Sequence, residues 1–236
     1  MTSLSVEAVY AGYSGTDVLR GVSISVVPGE CVGILGLNGA GKSTLLRVAT
    51  GQVGVRAGKR TVDSIDATHW RPDRLARSGV RWVGEPRPIF PSLTVRENLA
   101  IGGIMNRRDF NRVVAYVYDL LPMLREKRQE KAASLSGGQQ QMLAIGQALM
   151  SEPRYLCLDE PSLGLSPQMV ISVADLVVRL AEAGLGILWA EQFPDIVLSR
   201  CTRVVVLAAG AVASAGDPAD LSKESLEDAY LGIGSG

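Results

Sequence analysis

Gly36-Leu37-Asn38-Gly39-Ala40-Gly41-Lys42-Ser43-Thr44 is the stretch on which the fold turns. Before it runs Cys31-Val32-Gly33-Ile34-Leu35, an apolar segment that reads as a buried strand; after it, Leu45-Leu46-Arg47-Val48-Ala49-Thr50 reads as the first turns of a helix. A G-x-x-x-x-G-K-[ST] loop in a strand–loop–helix setting is a phosphate loop. Its glycines let the backbone wrap so that N–H groups point inward at phosphate oxygens, and the helix N-terminus adds partial positive charge. Lys42 brings a compact charge to β- and γ-phosphates, and the Ser43 hydroxyl suits Mg²⁺. A chance glycine-rich turn would not need the flanking strand and helix. The implied ligand is a nucleoside triphosphate.

The 236 residues suffice for a full core and are most economically one domain with a subdomain. Basic and acidic residues balance at 24 each, so no overall field attracts nucleic acid or anionic lipid, and an aromatic content of 5% argues against a base-stacking surface. Cys31, Cys157 and Cys201 lie within or beside apolar stretches. Buried, reduced thiols of a cytoplasmic protein are expected, without disulfides or a metal site. Met1-Thr2-Ser3-Leu4 opens no charged and apolar leader, so no signal peptide is expected. The longest apolar stretch, Val204 to Ala213, is about half a bilayer span and contains Gly210, so the chain is not expected to cross a membrane by itself.

Val6–Tyr10 and Val22–Val26 alternate apolar and polar residues and predict half-buried strands, with a turn-rich stretch Ala11–Gly15 between them. Gly54 to Ala67 is irregular with β character, Pro72–Ala76 predicts a short helix capped near Arg71, and Val80–Val83 another strand. From Thr94 to Ala133 the pattern turns helical, with Val113, Val114, Val117, Leu120, Leu121 and Leu124 close to helical spacing. Tyr155–Leu158 reads as a buried strand ending in Asp159-Glu160-Pro161. Pro167 suits the first turn of a helix with Ser166 as N-cap, running to about Ala183. Gly186–Ala190 is a further strand, Asp195–Ser199 a short helix, Val204–Ala213 a hairpin turning at Gly210, and Leu221–Tyr230 an amphipathic helix. Alternating strands and helices predict an α/β core with a largely parallel sheet.

A second motif, Leu135-Ser136-Gly137-Gly138-Gln139-Gln140-Gln141, opens a helix that runs through Met150. Alone, a Ser-Gly-Gly turn is an ordinary helix N-cap; two adjacent glycines also admit a close approach to a bound group at a helix start that favours anions. Together with the phosphate loop and the Asp159 strand, it makes the chain resemble the ATPase of ABC transporters from Leu4 to about Leu221. The resemblance implies a P-loop NTPase core with an antiparallel β subdomain and a helical subdomain, about 94–135, inserted in a single domain of residues 1–236. It implies ATP contacts from Tyr13, stacked on adenine, from Asn38, Gly39, Ala40, Gly41, Lys42, Ser43 and Thr44, and from Glu85. Asp159 would hold Mg²⁺ with Ser43 and Glu85, and Glu160 would be the general base. Ser136, Gly137, Gly138 and Gln139 would act on the site of a second subunit, and Ser162–Leu165 would form the loop that crosses to it.

The chain departs from the family's pattern in three places. The usual Q-loop glutamine falls on Glu85, which has one donor fewer and more charge. The usual switch histidine falls on Gln192, which donates to a γ-phosphate oxygen but cannot become a cation. Many relatives carry Arg where Gln147 stands. His69, the only histidine, is expected at the surface. With these departures the motifs resemble the shorter ATPase of branched-chain (hydrophobic) amino acid importers. The resemblance implies a cytoplasmic-face, peripheral subunit paired with a second ATPase, identical or not. Its other partners would be two permease subunits and, indirectly, a solute-binding protein, with no nucleic acid. A lipopolysaccharide-type exporter ATPase and a soluble, non-transport ABC ATPase are the alternatives.

Overall fold

The computed structural model describes residues 2–104 and 109–221. They form two compact units: one runs to Trp82, takes up Arg154–Glu160 and resumes at Val177; the other holds Val83–Pro153 and Pro161–Leu176.

In the first unit β1 (Leu4–Tyr13), β2 (Thr16–Val26), β4 (Ala57–Val62) and β5 (Ile65–Asp66) make an antiparallel sheet in the order β2-β1-β4-β5. The second sheet has the order β10-β9-β3-β8-β7-β6, from β3 (Cys31–Leu35), β6 (Val80–Val83), β7 (Tyr155–Asp159), β8 (Gly186–Ala190), β9 (Arg203–Ala208) and β10 (Ala211–Gly216). Its neighbours β9, β3, β8 and β7 run parallel. Every residue of β3, β7 and β8 is buried, which explains sequences that are apolar apart from Asp159 at the end of β7: central parallel strands face a covered layer on both sides. Ser14-Gly15, Asp63-Ser64 and Ala209-Gly210 all have positive φ, the geometry of two-residue hairpin turns, and they close β1–β2, β4–β5 and β9–β10. The expected loop at Ala11–Gly15 is therefore only a two-residue turn. Gly12 stays in the strand because a Cβ there would lie 2.0 Å from the Thr16 carbonyl oxygen across the hairpin.

The phosphate-loop helix α1 (Lys42–Ala49) ends on Arg60. That guanidinium, 1% exposed, donates to the carbonyl oxygens of Val48, Ala67, Thr68 and Trp70, so it closes the helix C-terminus and shapes the chain before α2 (Pro72–Arg77). Burial lowers its pKa to about 10.

The second unit holds α3 (Val95–Gly102), α4 (Phe110–Leu120), α5 (Pro122–Glu126) and α6 (Gly137–Leu149). Thr94 and Ser136 start α3 and α6 with reciprocal capping boxes to Glu97 and Gln139. Val113, Val114, Val117, Leu121 and Leu124 are buried as the spacing predicts, but Leu120 is half-exposed and Tyr118 takes a buried place. Pro122 ends α4 and takes the first position of α5. Helix α7 (Pro167–Glu182) starts with the Val170 N–H on the Ser166 carbonyl, and α8 (Pro194–Leu198) follows β8. His69 is exposed as expected. The expected helix at Leu221–Tyr230 lies, past its first residue, outside the described residues.

Candidate nucleotide site

The strand β3 delivers the chain at Gly36 into a loop whose tip, Leu37-Asn38-Gly39, is exposed, while Ala40, Gly41, Lys42 and Thr44 are buried. Gly39 and Gly41 sit at φ of 83° and 108°, where a side chain would be strained, and Gly41 is the N-cap of α1. The Gly210 N–H donates to the Ala40 carbonyl (3.1 Å), which ties the loop to the β9–β10 turn. Lys42, 3% exposed, donates to the Gly36 carbonyl at 2.8 Å and lies 3.2 Å from Glu160 Oε1.

Asp159 and Glu160 come from the carboxyl end of β7. The Ser43 hydroxyl donates to Asp159 Oδ1 at 2.8 Å, so Lys42, Ser43, Asp159 and Glu160 form one contacting group. Burial pushes the Asp159 carboxyl above its usual range, the Ser43 hydrogen bond pulls the other way, and the Glu160 charge adds to the rise. Glu160 has φ 47° and its N–H donates to the Ala190 carbonyl at 2.9 Å. A non-glycine residue in the left-handed region is uncommon.

Gln192, half-buried, follows β8, the strand between β3 and β7. The preceding Glu191, 1% exposed, accepts from Trp189 Nε1 (3.1 Å), and its N–H donates to the Ile34 carbonyl (3.1 Å). Phosphate loop, Gln192 and the acid pair thus stand at the carboxyl ends of three neighbouring parallel strands, where open α/β sheets bind ligands. Tyr13 is 45% exposed at the end of β1, and its hydroxyl accepts from Arg47 Nη1 of α1 (3.2 Å).

The remaining expected residues belong to the second unit. Glu85 is exposed in the turn after β6, next to Arg87, whose Nε donates to Gln141 Oε1 of α6 (2.8 Å). Gln139 Oε1 accepts from the Ser136 N–H and the Gln139 N–H donates to Ser136 Oγ, leaving the first-turn N–H groups of Gly137 and Gly138 without partners inside the helix. A Cβ on Gly137 would meet nothing within 4 Å.

Three positions acquire roles that the sequence reading did not give them. Gln147 is buried, and its Nε2 donates to the Asn98 carbonyl (3.2 Å), joining α6 to α3. Asn98 is fully buried: its Oδ1 accepts from the Phe90 N–H (2.7 Å) and its Nδ2 donates to the Phe90 and Thr94 carbonyls (3.0 Å each). Glu191 carries the one signal the sequence offered, an acid directly after an apolar strand, as at Asp159.

The sequence pattern that defines the ABC transporter family matches residues 19–163, and the chain belongs to that family. It is 37% identical over 231 residues to the high-affinity branched-chain amino acid transport ATP-binding protein BraG of Pseudomonas aeruginosa, covering 97% of this chain and 99% of that one. It is 30% identical to the lipopolysaccharide export system ATP-binding protein LptB of Escherichia coli K12, over 98% of each chain. An ATP-binding cassette of an ABC transporter solved in its ADP conformation superposes with a TM-score of 0.84 at 30% identity, covering 97% of this chain and 94% of that one. The chain is an ATP-binding, ATP-hydrolysing transporter subunit with the P-loop ABC fold, a class that works with membrane permease components. Among the described residues no helix is long and apolar enough to cross a membrane.

Proposed function

We propose that the chain drives import of branched-chain amino acids or related small polar solutes from the cytoplasmic face of the membrane. One domain, with the helical stretch of about 94–135 inserted, would pair with a second ATPase, identical or not, beneath two permease subunits that a solute-binding protein supplies. The end-to-end likeness to BraG, at 37% identity over 97% of this chain, supports this reading most. Glu85 and Gln192, where the general pattern has glutamine and histidine, point the same way.

In this reading the phosphate-loop N–H groups and Lys42 bind the ATP phosphates, with Asn38, Gly39, Ala40, Gly41 and Thr44 shaping the loop and Tyr13 against adenine. The contact between the Ser43 hydroxyl and a buried carboxylate fits Mg²⁺: a cation there would offset the charge penalty that burial imposes on Asp159. Ser43 and Asp159 would hold it, with Glu85 contributing, and it would neutralise charge on the β- and γ-oxygens. Glu160 polarises the attacking water and receives its proton. Oxygen bonds to the γ-phosphorus as the bond to the β–γ bridging oxygen breaks, releasing ADP and phosphate. Gln192 donates its amide N–H to a γ-oxygen. Ser136, Gly137, Gly138 and Gln139 cap the γ-phosphate of the second subunit, so closure completes both sites.

The 30% identity to LptB, and 34% to the Nod factor export ATP-binding protein I of Rhizobium etli over 95% of this chain and 71% of that one, favour an exporter as the second reading. Isolation of the native complex separates the two, followed by reconstitution in vesicles. Import predicts two permease subunits whose ATPase is stimulated by an amino-acid-loaded solute-binding protein. Stimulation by a lipid-linked or oligosaccharide substrate alone would overturn it.

A further inference from the structure

Cys31 opens β3, and Cys201 lies two residues before β9, the strand paired with β3. The Thr202 N–H and hydroxyl both donate to the Cys31 carbonyl at 2.9 Å, which holds the two stretches of backbone side by side. The two Sγ atoms lie 3.4 Å apart, in a buried S–H···S contact. Gly33 leaves the room: a Cβ there would sit 3.2 Å from Cys201 Sγ and 2.1 Å from a Val197 methyl. Cys157, the third cysteine, is fully buried in the middle of β7.

We propose that Cys31 and Cys201 are a modification site: a dithiol that a small peroxide oxidises to a disulfide joining the start of the phosphate-loop strand to the start of its neighbour. The sulfurs already touch at 3.4 Å, and bonding would bring them to about 2.05 Å. The contact with Cys31, and then burial, push the Cys201 thiol upward, so the resting sulfur is protonated and reacts slowly with peroxide. Cys201, 8% exposed against 2% for Cys31, is the thiol that the oxidant meets. Hydrogen peroxide transfers one oxygen to its sulfur, giving a sulfenic acid and water. Cys31 sulfur then attacks that sulfur, hydroxide leaves and takes up the thiol proton, and a second water forms. In sum two thiols lose two hydrogens and one peroxide becomes two waters. Burial limits the reaction to small oxidants, which separates this pair from surface thiols that exchange with glutathione disulfide.

The test uses the full-length wild-type chain, so it does not depend on a variant folding. The protein is exposed to hydrogen peroxide, unfolded in an alkylating reagent and mapped by mass spectrometry, with and without prior dithiothreitol. Free thiols should fall from three to one. The peptides of Cys31 and Cys201 should be recovered linked, lighter by two hydrogens, and dithiothreitol should restore them, while Cys157 is alkylated throughout. Cys31→Ser should leave Cys201 as a sulfinic acid without a link. Full alkylation of both cysteines at peroxide levels that oxidise a peptide thiol, over-oxidation of the wild type without a link, or a link to Cys157 would each overturn the proposal.

Discussion

Glu160 and Gln192 are asked to do different amounts of work in hydrolysis, and the geometry ranks them. Glu160 is the carboxylate beside Lys42 and the base of the proposed step, so Glu160→Gln should keep ATP binding while turnover stalls, leaving a closed dimer visible by gel filtration with ATP and the partner subunit. Gln192 offers one neutral donor, worth about 1 to 2 kcal/mol to a charged acceptor, so Gln192→Ala should slow phosphate release by roughly 5- to 30-fold. A loss beyond about a thousandfold, roughly 4 kcal/mol, would mean that Gln192 orients the water itself. Asp159 lends itself to a stability test. Its carboxyl is raised in the folded chain, so folding is favoured while the proton stays on and opposed once pH climbs above the ordinary carboxylate range. Asp159→Asn should therefore melt higher than wild type at neutral pH in magnesium-free buffer, with the gap narrowing toward acid. A lower melting temperature for the variant would show that attraction to Lys42 and Arg47 outweighs burial.

At the level of elements, Asn98 is the strongest case of a side chain holding a loop. Its amide satisfies the Phe90 N–H and the Phe90 and Thr94 carbonyls inside a fully buried setting. Asn98→Ala orphans the Phe90 N–H, while the Phe90 and Thr94 carbonyls keep the N–H groups of Leu93 and residue 98, and should destabilise by about 1 to 3 kcal/mol in chemical denaturation. Asn98→Asp should be at least as harmful, because a carboxylate accepts from Phe90 but cannot donate to the two carbonyls. Nothing in Val-Arg-Glu-Asn-Leu marks that asparagine as buried; helical residues of its type are usually solvated, and only the folded path of Phe90–Thr94 shows its partners. Arg60 was hidden for the same reason, since the four carbonyls it serves are scattered from Val48 to Trp70. By contrast, β3, β7 and β8 were legible because strands buried on both faces are mostly apolar, and the phosphate loop because wrapping a phosphate demands glycine at fixed spacing. The turn between β1 and β2 was placed but drawn too long, and the one at Asp63-Ser64 escaped because a left-handed residue leaves little trace when it is serine or aspartate.

For the whole molecule, coupling to the permease is the property to test. Phe90 is 47% exposed although Asn98 grips its backbone on both sides, a fixed apolar side chain turned outward. In the reconstituted complex, Phe90→Asp should uncouple ATP hydrolysis from transport with nucleotide affinity unchanged; transport at wild-type rate would place the docking surface elsewhere. A broader consequence follows from the end of β7, where a desolvated Asp159 precedes a left-handed Glu160. Both are arrangements that folding alone disfavours, so the protein's own substrate becomes part of what keeps it folded. ATP at a hundredfold excess over its dissociation constant adds about 2.7 kcal/mol, and the melting temperature should climb by roughly 5 to 10 °C. Lys42→Ala should flatten that climb. In a cell, the chain's half-life would then track its occupancy: copies without nucleotide would open and meet a protease first.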